Sequence, residues 1–392
     1  MKVLVTSSRF PFALGLIRRL GAAGHEIYAA DTYATAPGGH SKYVAERILT
    51  VSPKFDTKRY CEQIAKVVAE RSIDLVVPCF EEVFYLAKHV VELGERERYF
   101  FPPLEVLTRL HDKRRFVDLA GELGVPIART ILASTQQELG EAITQFGEYF
   151  ARATFSRGGV QLLTNAGPLG GAVAIEDCHP TAENPWLVQE FVHGEDLCSF
   201  SVAQRGKLVA HCTYRHPLTI DHAGGIVFES VDEAESVRIA SRVIEALGYH
   251  GQISFDYLRR SDDGRLELVE CNPRPTSGVL LIEPKALSDA VFGLPSEAPH
   301  VVPAGVHEQI AVAVIRDMFR NPEDIPRDFH LLKSSGPDAY AEPGDRLPLV
   351  YTLLSLSHVT AFRHRMHTRR HKHSDLVEAQ FFDIDYDGGA IA

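Results

Sequence analysis

The strongest constraint in this chain is a change of period partway along it. Over the first hundred residues, short apolar runs alternate with helix-period segments. KVLVT reads as a buried strand, Phe12 to Gly24 as a helix ending in glycine, and HEIYAAD as a second strand with an acidic end. A helix over Thr57 to Arg71, the strand DLVVPC and a helix over Glu82 to Leu93 continue the rhythm. That alternation predicts a small parallel sheet with helices on both faces. From Tyr149 the texture turns to β: YFARATF, QLLTN, WLVQEFV, DLCSFSVAQ, KLVAHCTYR, QISFDYLRR and RLELVEC. Tight turns such as RGK and DDG predict antiparallel pairing, interrupted by one long helix over about Asp232 to Leu247.

At 392 residues the chain has the length for two or three domains with real cores. A formal net charge of -11 argues against a generic nucleic-acid binder, which would usually be basic. No apolar run approaches membrane-spanning length, and the N-terminal run is too short for a signal peptide. The six cysteines are scattered, with neither a CxxC pair nor a Cys/His zinc spacing, which fits a reduced, cytoplasmic setting.

Site chemistry concentrates where a strand runs into proline, at LELVECNPRPTSG (266–278). With side chains alternating, Leu266, Leu268, Glu270 and Asn272 are expected on one face. The turn SDDG joins this strand to QISFDYLRR, which brings Asp256 to within about one residue of opposite Glu270. An Asp, a Glu and an amide oxygen converging on one spot suit Mg²⁺, which fills its other positions with phosphates and water. The plainer reading makes Asp256 and Glu270 edge charges paired with Arg259, Arg265 or Arg274.

Three weaker signals accompany it. The loop SRGGV, with Ser156, Gly158 and Gly159, lets backbone amides approach an anion, although most such pairs are only turns. WLVQEFVHGED offers a connector for an adenine ring at Glu190, Phe191 and Val192, with Glu195 and Asp196 placed for ribose hydroxyls; the alternative is a strand ending in a turn. The first turn, TSSRFPFALG, lacks GxGxxG, so the dinucleotide fingerprint fails and a structural role is expected. Ser134 with Gln137 reads as a capping box.

In this order, LHDKRRF with GVP, YFARATFSRGGV, LVQEFVHGED and GQISFDY…LVECNPRP resemble the ATP-grasp superfamily, in its branch related to carbamoyl-phosphate synthase and the carboxylate–amine ligases. The resemblance covers residues 1–284 and rests most on the Glu-x-Asn-Pro-Arg ending. It implies a mixed α/β and α+β chain: a parallel α/β pre-ATP-grasp domain (1–105), an ATP-grasp subdomain with the glycine loop (106–190), one with the metal site (191–290) and a C-terminal extension (291–392). It further implies ATP between the two subdomains, with Lys113 at the phosphates and Asp196 on the ribose. Asp256, Glu270 and Asn272 would hold Mg²⁺, with Mn²⁺ as a substitute, and Arg274 would stabilise the transferred phosphoryl group or a substrate carboxylate. The family places a Lys where this chain has Arg152, which is read as a working substitute that keeps the charge without being an isostere.

The implied reaction is ADP-forming ligation of a carboxylate to an amine through an acyl phosphate, with small-molecule substrates, no nucleic acid or membrane partner, and a homodimer as the commonest assembly. The alternative is an ATP-binding regulatory or degenerate module without ligase activity. Arg215 and His216 are further candidates for phosphate or substrate contact, and the glycine loop and residues 216–230 are expected to close over the site. At the C-terminus, His364, His367 and His371 would share a face of a basic helix, expected to lie exposed rather than to bind metal. FFDIDYDGG is expected as a short edge strand whose acids pair with that basic stretch.

Overall fold

The computed structural model describes residues 1–155, 162–220, 224–367 and 379–391. It contains one parallel and two mainly antiparallel sheets. The first consists of β1 (Lys2–Val5), β2 (Glu26–Asp31), β3 (Val44–Leu49) and β4 (Leu75–Val77), all parallel, in the order β3-β2-β1-β4. Val3, Leu4 and Val5 are fully buried, as expected for a strand covered on both faces. Helix Pro11–Ala22 follows β1 and opens on proline, whose fixed φ and missing N–H suit a first helical position. β3 was not anticipated, because VAERIL carries two charges and its positions are only half-buried or exposed.

The second sheet comprises β5 (Thr130–Ala133), β6 (Tyr149–Ala153), β7 (Leu162–Thr164) and β8 (Trp186–Glu190), in the order β5-β8-β6-β7. Helix Gln136–Ile143 packs on it, and its cap is Thr135, which accepts from Glu138 N–H at 3.2 Å while the Glu138 carboxylate accepts from Ser134 N–H at 2.6 Å. The capping box therefore lies one residue beyond the expected Ser134–Gln137 pair.

The third sheet holds β9 (Gly194–Gln204), β10 (Lys207–Ile220), β11 (Gly224–Ser230), β12 (Gly251–Arg260), β13 (Leu266–Asn272), β14 (His300–Val301) and β15 (His307–Gln309). Its order is β13-β12-β9-β10-β11-β15, with β14 beside β10, so strands from beyond residue 291 complete it. Residues 216–230, expected as a closing element, lie largely in the paired strands β10 and β11. Helix Ala234–Ala246 covers one face, where Phe255, Tyr257, Leu266, Leu268 and Cys271 are buried together; each such large side chain contributes roughly 1.5–3 kcal/mol. On the other face, Phe200, Cys212, Tyr214 and Phe228 join one continuous core with Val3, Val5 and Phe10 of the parallel domain.

β13 corrects the expected alternation. Asp256 pairs with Glu270, but Tyr257 pairs with Leu268, so Val269 is an extra residue that bulges out of the ladder. Leu266 and Leu268 consequently face the core with Cys271, while Glu270 and Asn272 turn to the opposite face. A bulge inverts the strand's face halfway along, a device over-represented beside active sites.

The C-terminal residues 379–391 form turns rather than the expected edge strand, and they pack on the parallel domain. Asp383 pairs with Arg9, and Asp385 with Lys54, while residues 368–375 of the basic stretch expected as their partner lie outside the described residues. The helix before them is Leu347–His367, with His364 exposed; His371 lies outside the described residues.

Candidate active site

Side chains from four elements meet on the face that the bulge creates. Asp112 caps helix Lys113–Glu122 by accepting from Arg114 and Arg115 N–H, and this seats Lys113 at the first helical position. Lys113 is 8% exposed and reaches Thr154 O at 3.5 Å and Glu270 at 3.8 Å. Arg152, from β6, donates to Glu270 at 2.6 Å and to the bulged Val269 carbonyl at 3.3 Å. Asp256 lies directly opposite Glu270, and Asn272 donates to it at 3.3 Å. Arg274 donates to Asn272 Oδ1 at 3.0 Å and lies 4.5 Å over the Phe80 ring. Arg259 and Arg265, the alternative partners, are instead engaged with Glu233 and Glu267.

The electrostatics follow from that geometry. Burial alone would raise the Glu270 carboxyl, but Arg152 and Lys113 outweigh it and hold the group low. At about 4 Å and an effective dielectric constant of ~20, each cation contributes roughly 4 kcal/mol of attraction. Asp256 goes the other way: burial and then the facing Glu270 push its carboxyl well up. The two carboxyls are hydrogen-bonded to one another, and the Nε of Arg152 is buried without a hydrogen-bond partner. A hard divalent ion with phosphate oxygens fits this donor set: two carboxylates, the Asn272 amide oxygen, and Lys113, Arg152 and Arg274 in excess around them. Among the described residues no three His, Cys, Asp or Glu side chains form a metal cluster by themselves, so phosphate oxygens would have to complete the shell.

Cys198 was missed by sequence reasoning. It sits opposite Asp256 in the β9–β12 register, and its thiol is hydrogen-bonded to that carboxyl. Counting the register from β12 across to β9 is the signal that finds it. Asp196 lies two residues earlier on the same strand, opposite Leu258. Gly194 opens β9 because any Cβ there would lie 2.1 Å from the Arg259 carbonyl.

The connector residues lie at the other end of β12. Glu190 accepts from Arg260 at 2.9 Å, Phe191 packs over Gly167, and Val192 is buried. Glu190 and Phe191 line a cavity of about 560 Å³ with Arg129, Phe146, His193 and Arg260. Neither Val192 nor any member of the Glu270 cluster lines it. Arg215 is engaged with Glu229 and Glu195, and His216 packs against Tyr214 and Phe228. Ser156, Gly158 and Gly159 lie outside the described residues.

No protein-family model matches the chain. It is similar to a formate-dependent phosphoribosylglycinamide formyltransferase of Thermococcus kodakarensis, 26% identical over 321 residues, which are 72% of this chain and 71% of that protein. It is also similar to the carbamoyl phosphate synthase large chain of Methanoculleus marisnigri, 24% identical over 238 residues, or 54% of this chain and 22% of that one. The chain thus spans under a quarter of that relative's length. Among solved structures it resembles N5-carboxyaminoimidazole synthetase of Staphylococcus aureus complexed with ADP, at TM-score 0.60 and 13% identity, covering 82% of this chain and 86% of that one. The biotin carboxylase domain of 2-oxoglutarate carboxylase from Hydrogenobacter thermophilus, a dimer with MgADP and bicarbonate, matches at TM-score 0.57 and 16% identity, over 76% and 71%. No described helix is long and apolar enough to cross a membrane. The homologues and structural neighbours of this chain are enzymes, ATP-grasp relatives of the carboxylate–amine ligases, as the Glu-x-Asn-Pro-Arg ending of β13 indicated.

Proposed function

We propose that the chain is an ATP-dependent, ADP-forming ligase that joins a small carboxylate, through an acyl phosphate, to an amine. The observation that carries this reading is the convergence of Lys113, Arg152, Asp256, Asn272 and Arg274 around Glu270. Three cations face two carboxylates there, an excess that suits a polyanion. Asp256, Glu270 and Asn272 would hold Mg²⁺, which would supply charge neutralisation at the phosphates. In the reaction the substrate carboxylate attacks the γ-phosphorus, ADP leaves, and the amine then displaces phosphate from the acyl phosphate. The protein's own part is positioning: Lys113 and Arg152 hold phosphate oxygens once nucleotide draws them from Glu270, and Arg274 meets the transferred phosphoryl group as a planar two-pronged donor. Asp196 takes the ribose, the connector Glu190–Val192 the adenine, and the 156–160 loop the phosphates. The division at residues 105, 190 and 290, and dimeric assembly, belong to the same reading.

One observation favours a second reading, a nucleotide-binding module without ligation: Arg152 replaces the expected lysine and spends its best hydrogen bond on Glu270. ADP release from MgATP against a matrix of carboxylates and amines separates the two. Release that requires one particular pair establishes the ligase, whereas tight MgADP binding without release for any pair favours the module.

A further inference from the structure

The third cation of the cluster rests on a support that comes from the far end of the chain. Arg274 lies over the ring of Phe80, and Phe80 is stacked by Phe381 with centroids 5.0 Å apart and planes 17° apart. Phe10 packs against both rings, at 4.5 Å and 5.9 Å. Phe80 is 2% exposed, so its plane is set by these neighbours rather than by solvent.

The segment that delivers Phe381 is anchored on both sides of it. Before the pair at Asp383, the Gln380 carbonyl accepts from Arg9 at 2.9 Å. Asp383 accepts from Arg9 at 2.7 Å and from the Thr32 hydroxyl, while Ser52 donates to its carbonyl. Tyr85 donates to the Asp385 carbonyl, and Tyr386 N–H to Glu81. Ile384, 1% exposed, closes over a cavity of about 10 Å³ lined by Ser7, Arg9, Asp31 and Thr32, room for roughly one water. These contacts fall on the loops after β1, β2, β3 and β4, that is, on the carboxyl edge of the parallel sheet. Ligands of open α/β sheets bind at that edge, where the strand order reverses. Here the order reverses at β1, between β2 and β4. Further on, Gly388 abuts the Phe155 ring.

We infer that residues 379–391 form a structural wall of the substrate cleft, and that Phe381 is a positioning residue, setting Arg274 for the phosphoryl group through Phe80. The inference rests on the ligase reading of Arg274. An aromatic prop fixes the height and tilt of a guanidinium without competing for its hydrogen bonds, which here go to the Asn272 amide oxygen and the Pro275 carbonyl. Loss of the prop lets Arg274 swing by a rotamer and weakens only what Arg274 touches.

A probe that needs no substrate identity tests this: MgADP with and without aluminium fluoride, which imitates the transferred phosphoryl group. Calorimetry is run on wild type, Phe381→Ala, Phe381→Leu, Phe381→Tyr and, as a control, Arg274→Ala. Wild type should gain affinity on adding aluminium fluoride, and Arg274→Ala should lose that gain. Phe381→Ala should lose about tenfold of the gain with MgADP affinity unchanged, and Phe381→Tyr should restore it. Phe381→Leu, which keeps apolar volume without a flat ring, should behave like Phe381→Ala and stands in for it should the smaller side chain not fold. A full gain in folded Phe381→Leu or Phe381→Ala overturns the inference alone. Absence of MgADP binding in wild type, or of any fluoride-dependent gain, overturns the ligase reading of the site and the inference with it.

Discussion

The Glu270 cluster, half-buried, and the carboxyl edge of the parallel sheet, fully buried at Arg9, are both charged and rich in arginine, yet they balance their charges in opposite ways. Asp256 and Asn272 are 16 positions apart on one hairpin. Arg9 and Asp383 are 374 positions apart. In the first region the turn sets the meeting of Asp256, Glu270 and Asn272, Arg152 arrives from 118 positions away, and the cations outnumber the carboxylates. In the second, one cation serves two carboxylates, Asp31 at 2.6 Å and Asp383 at 2.7 Å, and the result is a closed structural joint. Unbalanced charge marks a place for a ligand, and saturated charge marks a clasp.

The contrast is broken or sharpened most strongly at Glu270. Glu270→Ala should reduce ADP release by ~1,000-fold, the scale of losing a preorganised charge contact. It should also destabilise the metal-free protein by about 3 kcal/mol, because two buried cations lose their partner. The sign with pH follows from the lowered Glu270 value. Its contribution is fully present above the ordinary carboxylate value of 4.5 and is lost as pH falls through about 2. Denaturant melts of wild type and variant should therefore converge only in strong acid, and convergence near neutral pH would contradict the pairing. Next in size, Arg152→Ala should slow ADP release by ~100-fold, while Arg152→Lys should stay within about tenfold of wild type. Equal rates for all three proteins would make Arg152 irrelevant to catalysis.

In the clasp the expected effects are on stability. Asp383→Ala should cost about 2 kcal/mol in thermal or denaturant melts, less than a fully orphaned ion pair because Arg9 keeps Asp31. Gly388 has φ +83, and an added Cβ would lie 2.5 Å from the Phe155 ring. Gly388→Ala should thus cost about 1–2 kcal/mol. The smallest effect belongs to a control away from both regions: Thr135→Ala removes a helix cap worth about 1 kcal/mol and should leave nucleotide binding untouched.

How far each region could be read from sequence follows from the same contrast. The parallel domain was legible apart from β3, because β1, β2 and β4 are mostly apolar runs, and helix Thr57–Arg71 has the expected bounds. The hairpin that carries Asp256 and Glu270 was legible because SDDG sets a register that needs no long-range information. Its faces were not, since Val269 carries no signature that distinguishes a bulge from an ordinary strand residue. Cys198 escaped because it requires the neighbour of a neighbouring strand. Phe80, Phe381 and the Arg9–Asp383 pair escaped because nothing local in FFDIDYDGG, which alternates like an edge strand, tells that it will cross the other end of the chain.

The most direct measurement is calorimetric titration of MgADP into wild type and Glu270→Ala, repeated with ADP in the presence of a chelator. The account predicts that wild type binds ADP more tightly with Mg²⁺ than without, and that Glu270→Ala abolishes the difference. Equal affinity with and without the metal in wild type, or a Mg²⁺ effect that survives the loss of Glu270, would contradict it.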